Sequence, residues 1–325
     1  MELFPSNSKI NFMAIRHGAI VVFVALCVAA IVALATRNFN YALDFTGGTV
    51  VEIAFEKPMD VEGVRERLVE AGYDNPVVQT FGSGADIVIR MQPPELEGEG
   101  GQAQALEAAT GEQTASAILS VAQTPDNPGK VIRSDFVGPQ IGGELARNGV
   151  YAAIFVLLGF LAYIAARFEF KFAVASVAAT LGDILLVCGW FAFDQREFDL
   201  TVLAGILSVM GFSINDKIVV FDRVRENFRL LSKVEPKEVL NRSVNQTLSR
   251  TVITSVVAFL TVLALYLYGG SSLEGMAVSQ MIGIVIGTLS SILVACPFLL
   301  LLGATKKDLM PKAKADVAAE LARRP

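Results

Sequence analysis

The chain has 325 residues, 53% of them hydrophobic and only 18% charged, with a mean hydropathy of +0.52. That composition excludes an ordinary soluble globular protein. A net charge of -5, a pI near 5.1 and the lack of any basic stripe argue against a nucleic-acid partner.

The first apolar run covers residues 14–36, with Lys9 ahead of it and Arg16 at its start. At about 20 residues it exceeds a signal-peptide core of about 7–15, and no small-residue cleavage site follows, so it reads as a retained span. Residues 37–148 are more polar and long enough for a small domain. Residues 49–55 alternate and are β-branched, which predicts a strand. Residues 60–72 predict a helix: Asp60 caps it, Val61, Val64, Leu68 and Val69 form its apolar side, and Gly72 stops it. Residues 77–81 and 85–90 flank glycines and predict a hairpin. An acidic, glycine-rich loop follows at 92–102. A second helix is expected over 104–123, with Leu106, Ala109, Ile118 and Leu119 inward, and a last strand over 130–137. The order β-α-β-β-α-β is a split, ferredoxin-like α+β pattern, which hosts many unrelated functions.

The ends of this domain are glycine-rich: FTGGT at 45–49 and GPQIGGEL at 138–145. The first lacks the spacing and the lysine of a phosphate-binding loop. Asp44, Gly47, Gly48, Gly142 and Gly143 instead suggest a tight hinge or docking turn, since glycine permits positive φ and close backbone approach.

Five further apolar runs follow, at 149–166, 172–193, 200–221, 251–267 and 276–302. With the first they predict a polytopic α-helical membrane protein of six spans, residues 149–304 forming spans two to six. Lysine and arginine gather before span one, after spans two and four, and in the tail 305–325, with Lys306 and Lys307. The opposite side has mainly Arg196. The rule that positive loops stay inside predicts that both termini, 1–13 and 305–325, are cytoplasmic, with 37–148 periplasmic. Span six carries Gly283 and Gly287 in a GxxxG pattern, which supports close packing of helices or of subunits. Cys27, Cys188 and Cys296 lie far apart in apolar runs and read as small hydrophobes, with no metal or cofactor expected.

The fourth run is interrupted by Asp216 and Lys217. A charge at mid-bilayer costs roughly 2.5–3.5 kcal/mol even on mild insertion scales, so it usually faces protein or water and usually has a task. Adjacent helical residues diverge, so the two are poor partners for each other; each meets something else, or Lys217 snorkels toward an aqueous cavity. Asp183 on span three is a further buried-charge candidate. Near the start of span five, Gln246, Arg250 and Thr254 recur every four residues, and Arg250 offers a fixed positive partner for a carboxylate on span four. Burial disfavours an ionised carboxylate and a guanidinium favours it; that competition is what proton coupling needs. The alternative is a static ionic network. No nucleophile–base pair or metal cluster points to an enzyme.

These residues also carry a resemblance. LDFTGGT at 43–49, VGPQIGGEL at 137–145, GFSINDKIVVFDRVREN at 211–227 and NQTLSRTVITS at 245–255 resemble, in order, the SecF subunits of the SecDF protein-export family, within the resistance-nodulation-division superfamily. The resemblance implies a bacterial inner-membrane subunit. Such a subunit works with SecD and YajC to couple the proton motive force to export of unfolded preproteins through SecYEG, alongside the motor SecA. It further implies that Asp216 faces an aspartate of SecD and that Arg250 shares the proton-responsive site. Two positions depart from the family pattern. Lys217 replaces a small polar residue such as threonine, and Gly182 stands where many relatives carry histidine. Rival readings are a half-transporter for drugs or lipids from the same superfamily, and a structural assembly subunit with no ion role.

Overall fold

We describe the protein from a computed structural model, which describes residues 10–73, 76–81, 84–91, 114–137, 139–231 and 234–303. Lys9, the stretch 92–102, residues 104–113 of the second predicted helix, Gly138, Lys233, Lys306 and Lys307 lie outside them. The chain forms two units, Tyr41–Val150 and the remainder, Met1–Asn40 with Tyr151–Pro325. In chain order the elements are α1 (Arg16–Arg37), the two-residue β1 (Asn40–Tyr41), α2 (Leu43–Thr46), β2 (Gly48–Phe55), α3 (Val61–Glu70), β3 (Val77–Phe81) and β4 (Asp86–Met91). Next come α4 (114–122), β5 (Gly129–Val137), α5 (Pro139–Arg167), α6 (Phe170–Asp194), the two-residue β6 (Glu197–Phe198), α7 (Leu200–Leu230), α8 (Pro236–Tyr268), α9 (Ser271–Leu293) and α10 (Ala295–Leu301).

Among the described residues six helices are long and apolar enough to cross a membrane: α1, α5, α6, α7, α8 and α9. The 31-residue α7 is ~46 Å long against a hydrocarbon core of ~30 Å, so it must project beyond one. Asn227, in that projecting end, donates through Nδ2 to Ser243 Oγ and Gln246 Oε1 of α8, both at 2.8 Å. Asn245 exchanges hydrogen bonds with the backbone of Ile10, and Met13 N donates to Asn241, which ties the chain ahead of α1 to α8. The core of the same end is aromatic and aliphatic, with Phe172 edge-on to Phe221 at 5.4 Å.

The sixth predicted span is two helices. Proline at 297 has no N–H and its ring clashes with the carbonyl four residues back, so the ladder breaks at Val294 between α9 and α10. The GxxxG pair serves packing within this chain. α9 lies beside α7 in a parallel register in which Gly205 meets Ser279, Gly283 meets Val209 and Gly287 meets Ser213. A Cβ at Gly283 would overlap the whole Val209 side chain. Gly283→Val should therefore lower stability by roughly 1–3 kcal/mol, read as a drop in Tm in detergent, with Val209→Ala in the same chain restoring most of it.

In the Tyr41–Val150 unit the elements from β2 to β5 follow the order strand, helix, strand, strand, helix, strand. The sheet order is β3-β4-β2-β5, antiparallel throughout. Alternation on β2 sends Val51, Ile53 and Phe55 to one face, where Ile89 pairs opposite Val51 and Ile87 opposite Ile53. Val64 and Leu68 of α3, and Ala115, Ile118 and Ala122 of α4, cover that face at helical spacing. Asp60 accepts from Glu62 N at 3.2 Å and so starts α3, and Gly72, at φ +88°, follows its end. Val69, predicted on the apolar side of α3, is exposed; Val64 and Leu68 already fill the inner stripe.

Candidate functional site

Helix α7 packs against α6, α8 and α9, and its 100° step per residue aims neighbouring side chains at different helices. Ser213, Asp216 and Lys217 are all buried, while Asn215 between them is exposed.

Lys217 turns to α6. Its ammonium donates to Asp183 Oδ2 at 2.7 Å and to Ser213 Oγ, and the Ser213 hydroxyl donates to the same carboxylate oxygen. Lys217 and Asp183 are both fully excluded from solvent. This is a buried ion pair with a hydroxyl bracing both charges. It differs from the snorkelling geometry open to Lys217 in the sequence: an ammonium 34 residues from its counter-ion along the chain finds it at the adjacent helix and has no need to leave the bundle.

Asp216 turns to α8. Its carboxylate is in hydrogen-bond reach of Ser255 and in the field of Lys217 and Arg250. Ser255 also donates to Thr251 O and accepts from Thr288 of α9, each at 2.7 Å. Asp216 Oδ2 has no protein partner among the described residues. Arg250 is exposed, and no ion pair within 4.0 Å joins it to Asp216 among the described residues. Of the four charged residues singled out in the spans, the structure thus brings Asp183 and Lys217 into contact and holds Arg250 at a distance from Asp216. Gln246 and Thr254, read with Arg250 as one polar side, are used locally: Gln246 accepts from Asn227, and Thr254 donates to the Arg250 carbonyl. Ser255 and Thr288 complete the Asp216 surroundings. Ser255 was visible as the hydroxyl four residues after Thr251; Thr288 had no distinguishing signal in a serine- and glycine-rich span.

The α7–α8–α9 side also carries an open groove of about 230 Å³, lined by Ser208, Phe212, Thr261 and Gln280 among others. Ser208 and Asn215 are exposed on this span. Exposed polar groups on a membrane helix usually meet protein or water.

In the other unit, Asp44 lies in the first turn of α2, and Gly47 and Gly48 follow at φ +71° and +123°. A Cβ on Gly48 would overlap the Met91 carbonyl oxygen, and one on Gly142 would stand 3.0 Å from Gly47 N and 3.1 Å from Phe45 O. The two glycine motifs therefore meet at Gly142, where the approach leaves no room for a side chain, while Gly48 lets its strand lie close to the backbone of β4. Gly143 has open space around it. Among the described residues no group of three or more His, Cys, Asp or Glu side chains could hold a metal ion, and Cys27, Cys188 and Cys296 are free thiols.

The model of the family described as protein export membrane protein SecD/SecF, C-terminal, matches residues 118–305, and that of the SecD/SecF GG motif matches residues 32–59. Protein translocase subunit SecF of Pseudomonas aeruginosa is 43% identical over 309 residues, covering 94% of this chain and 96% of the relative. SecF of Escherichia coli O157:H7 is 41% identical over 310 residues, covering 95% and 93%. Among solved structures, SecDF of Thermus thermophilus, described as a translocon-associated membrane protein, superimposes with a TM-score of 0.78 at 35% identity. It covers 92% of this chain, which spans only 39% of that longer one.

Proposed function

The chain belongs to the SecF family of protein translocase subunits, and from that premise we propose that it is the proton-responsive smaller half of a SecD–SecF pair. The pair couples the proton motive force to export of unfolded preproteins through SecYEG, with YajC as a further partner. The observation that carries this reading is Asp216: a buried carboxylate on a spanning helix, with one oxygen unpartnered and its candidate counter-ion Arg250 held off. An ionised carboxylate so buried is costly unless it is paired. When it ionises, its charge calls for a partner, and Arg250 or a group from another chain must approach. Protonation thereby selects between two arrangements of α7 and α8, which is the requirement for coupling a gradient to movement.

Several features support the rest. The solved SecDF chain is about two and a half times as long as the part matched here, so a SecD-type chain supplies the remainder, and the groove and exposed Asn215 offer it a surface. Arg16, Arg167, Lys171, Arg223, Arg225, Arg229, Lys237 and Arg242 flank one end of the spans. The other end has Arg37, Arg147 and Arg196, the last paired with Asp194 and Glu274. This bias supports cytoplasmic termini, residues 14–36 as the first span, 149–304 as the others, and 37–148 as a periplasmic domain of ferredoxin-like type in the inner membrane. In that domain the motifs at Gly47–Gly48 and Gly142–Gly143 serve as a compact turn. The Asp183–Lys217–Ser213 set holds the rotation of α7, so that Asp216 faces α8.

The test is reconstitution of this chain with a SecD-type partner and SecYEG in vesicles. An imposed proton gradient is expected to accelerate export of a preprotein, and vesicles lacking this chain should gain nothing from it. Equal acceleration in both would overturn the reading.

A further inference from the structure

Several hydroxyls of the spanning helices are satisfied at home. Thr247, Ser255, Thr261, Thr288 and Ser291 each donate to a backbone carbonyl three or four residues earlier. Three polar side chains of α7 and α9 behave differently. Ser208 and Asn215 are exposed and Gln280 is half-buried, and among the described residues none of them makes a side-chain hydrogen bond. Ser208 and Gln280 both line the open groove between α7, α8 and α9. At ~1.5 Å per residue, Ser208 lies ~12 Å from the Leu200 end of α7 and Gln280 ~14 Å from the Ser271 end of α9, well inside a hydrocarbon core of ~30 Å. Asn215 follows Ser208 by close to two full turns, so it lies ~10 Å deeper on the same face of α7.

The groove suits the side chains of a neighbouring helix. Its apolar lining, Phe212, Ala258, Val262 and Ile284, belongs to one packed cluster, and its polar lining is Ser208, Thr261 and Gln280. At about 230 Å³ it is smaller than the clefts of ~300–1,000 Å³ that hold small-molecule ligands. Acyl chains neither donate nor accept hydrogen bonds, so a lipid lying here would leave the Gln280 amide unmet in hydrocarbon. Between spanning helices, by contrast, Ser, Asn and Gln side chains bond across the contact. A second copy of this chain is less suited, because the GxxxG face of α9 is already taken by α7. The solved SecDF chain, of which this chain spans 39%, shows that relatives of this fold carry much additional chain.

We propose that the groove seats a spanning helix of the SecD-type partner. That helix places a bulky apolar side chain against Phe212, Val262 and Ile284 and offers hydrogen-bonding side chains to Gln280 and Ser208, with a second polar contact ~10 Å along α7 at Asn215. The seat rests on the proposed pairing with a SecD-type chain. It also fixes register between the two chains. The Gln280 amide both donates and accepts, and a slip of the partner by one turn, ~5.4 Å, would leave it facing apolar groups.

Photo-crosslinking and association measurements test it. The full chain is co-expressed with its SecD-type partner, and a small diazirine amino acid is placed at Thr261, which lines the groove, or at Phe155, which is 79% exposed on α5. Illumination in the membrane is expected to join position 261 to the SecD-type chain and position 155 to lipid. In detergent, Gln280→Leu keeps the bulk of the side chain but removes its amide, and should lower the association constant for the SecD-type chain about three- to thirtyfold. Gln280→Trp, which fills the groove, should lower it further, and Phe155→Trp should leave it unchanged. The Tm of the Gln280→Leu chain purified alone should match that of the unaltered chain, because among the described residues the amide bonds to nothing within it; this separates lost association from lost folding. Should Gln280→Trp fail to fold, Gln280→Leu and the adducts at position 261 decide the matter. Adducts at 261 with lipid alone or with a second copy of this chain, or undiminished association of Gln280→Leu, overturn the proposal. Association that is intact but indifferent to the groove removes the seat alone, whereas an unaltered chain that does not bind the SecD-type chain at all removes the pairing with it.

Discussion

Asp216→Asn is expected to remove the acceleration of export by a proton gradient while leaving export without a gradient, and the amount of chain in the membrane, unchanged. Asparagine keeps the shape of the side chain and its hydrogen-bonding reach to Ser255, but it cannot ionise. A proton crossing ~100 mV releases about 2.3 kcal/mol, enough to bias two conformations by up to about fiftyfold when one proton is coupled per cycle. A variant that cannot take up or release that proton loses the whole bias. The measurement is the ratio of export rates with and without the gradient in vesicles containing the partner subunits. The ratio should fall to one for Asp216→Asn and stay above one for Asp216→Glu, whose carboxylate still titrates. A ratio above one in the asparagine variant, equal to that of the unaltered chain, would remove Asp216 from the coupling and leave the export role standing. Arg250→Lys keeps the charge but not the planar fork, and is expected to weaken the ratio less than Arg250→Gln does, because the charge must still approach an ionised Asp216.

The six spans are legible because hydropathy is a one-dimensional property: about twenty apolar residues announce a span wherever it later packs. Element types in the sheet unit are legible for a similar reason, since alternation at 49–55 and the Asp60 cap are local signals. What escapes is whatever depends on neighbours distant in sequence. Helix α5 begins at Pro139, ten residues before the apolar run at 149, because Glu144, Arg147 and Asn148 continue the helix without adding hydropathy. The GxxxG pair announces close packing, but only the register with Val209 and Ser213 says that the partner is α7 of the same chain. The charged residues show the same division. That Asp216 and Lys217 diverge follows from the helical step alone. That Lys217 meets Asp183 follows from how α6 lies against α7, and no spacing within either segment encodes it.

The Asp183–Lys217 pair gives the largest expected stability effect. Lys217→Met is expected to destabilise the chain by about 3–5 kcal/mol, because it leaves an ionised carboxylate fully buried with only the Ser213 hydroxyl to support it. Asp183→Leu should cost a similar amount by stranding the ammonium. The double variant Asp183→Leu/Lys217→Met removes both charges and fills the space with apolar groups of comparable volume, so it is expected to recover most of the loss or to exceed the original stability. Unfolding of the purified chain in detergent, followed by tryptophan emission from Trp190, measures all four corners of this cycle. Strong coupling, with each single variant severe and the double mild, is the signature of a pair whose two members matter only to each other. Weak coupling, with additive losses, would mean that each charge has an outside partner. In that event Lys217 acts chiefly on Asp216, and the division of α7 into an α6-facing anchor and an α8-facing titrating group fails. The contrast between Asp216→Asn, silent in stability and severe in gradient dependence, and Lys217→Met, severe in stability, is therefore the sharpest separation of two adjacent residues that this helix permits.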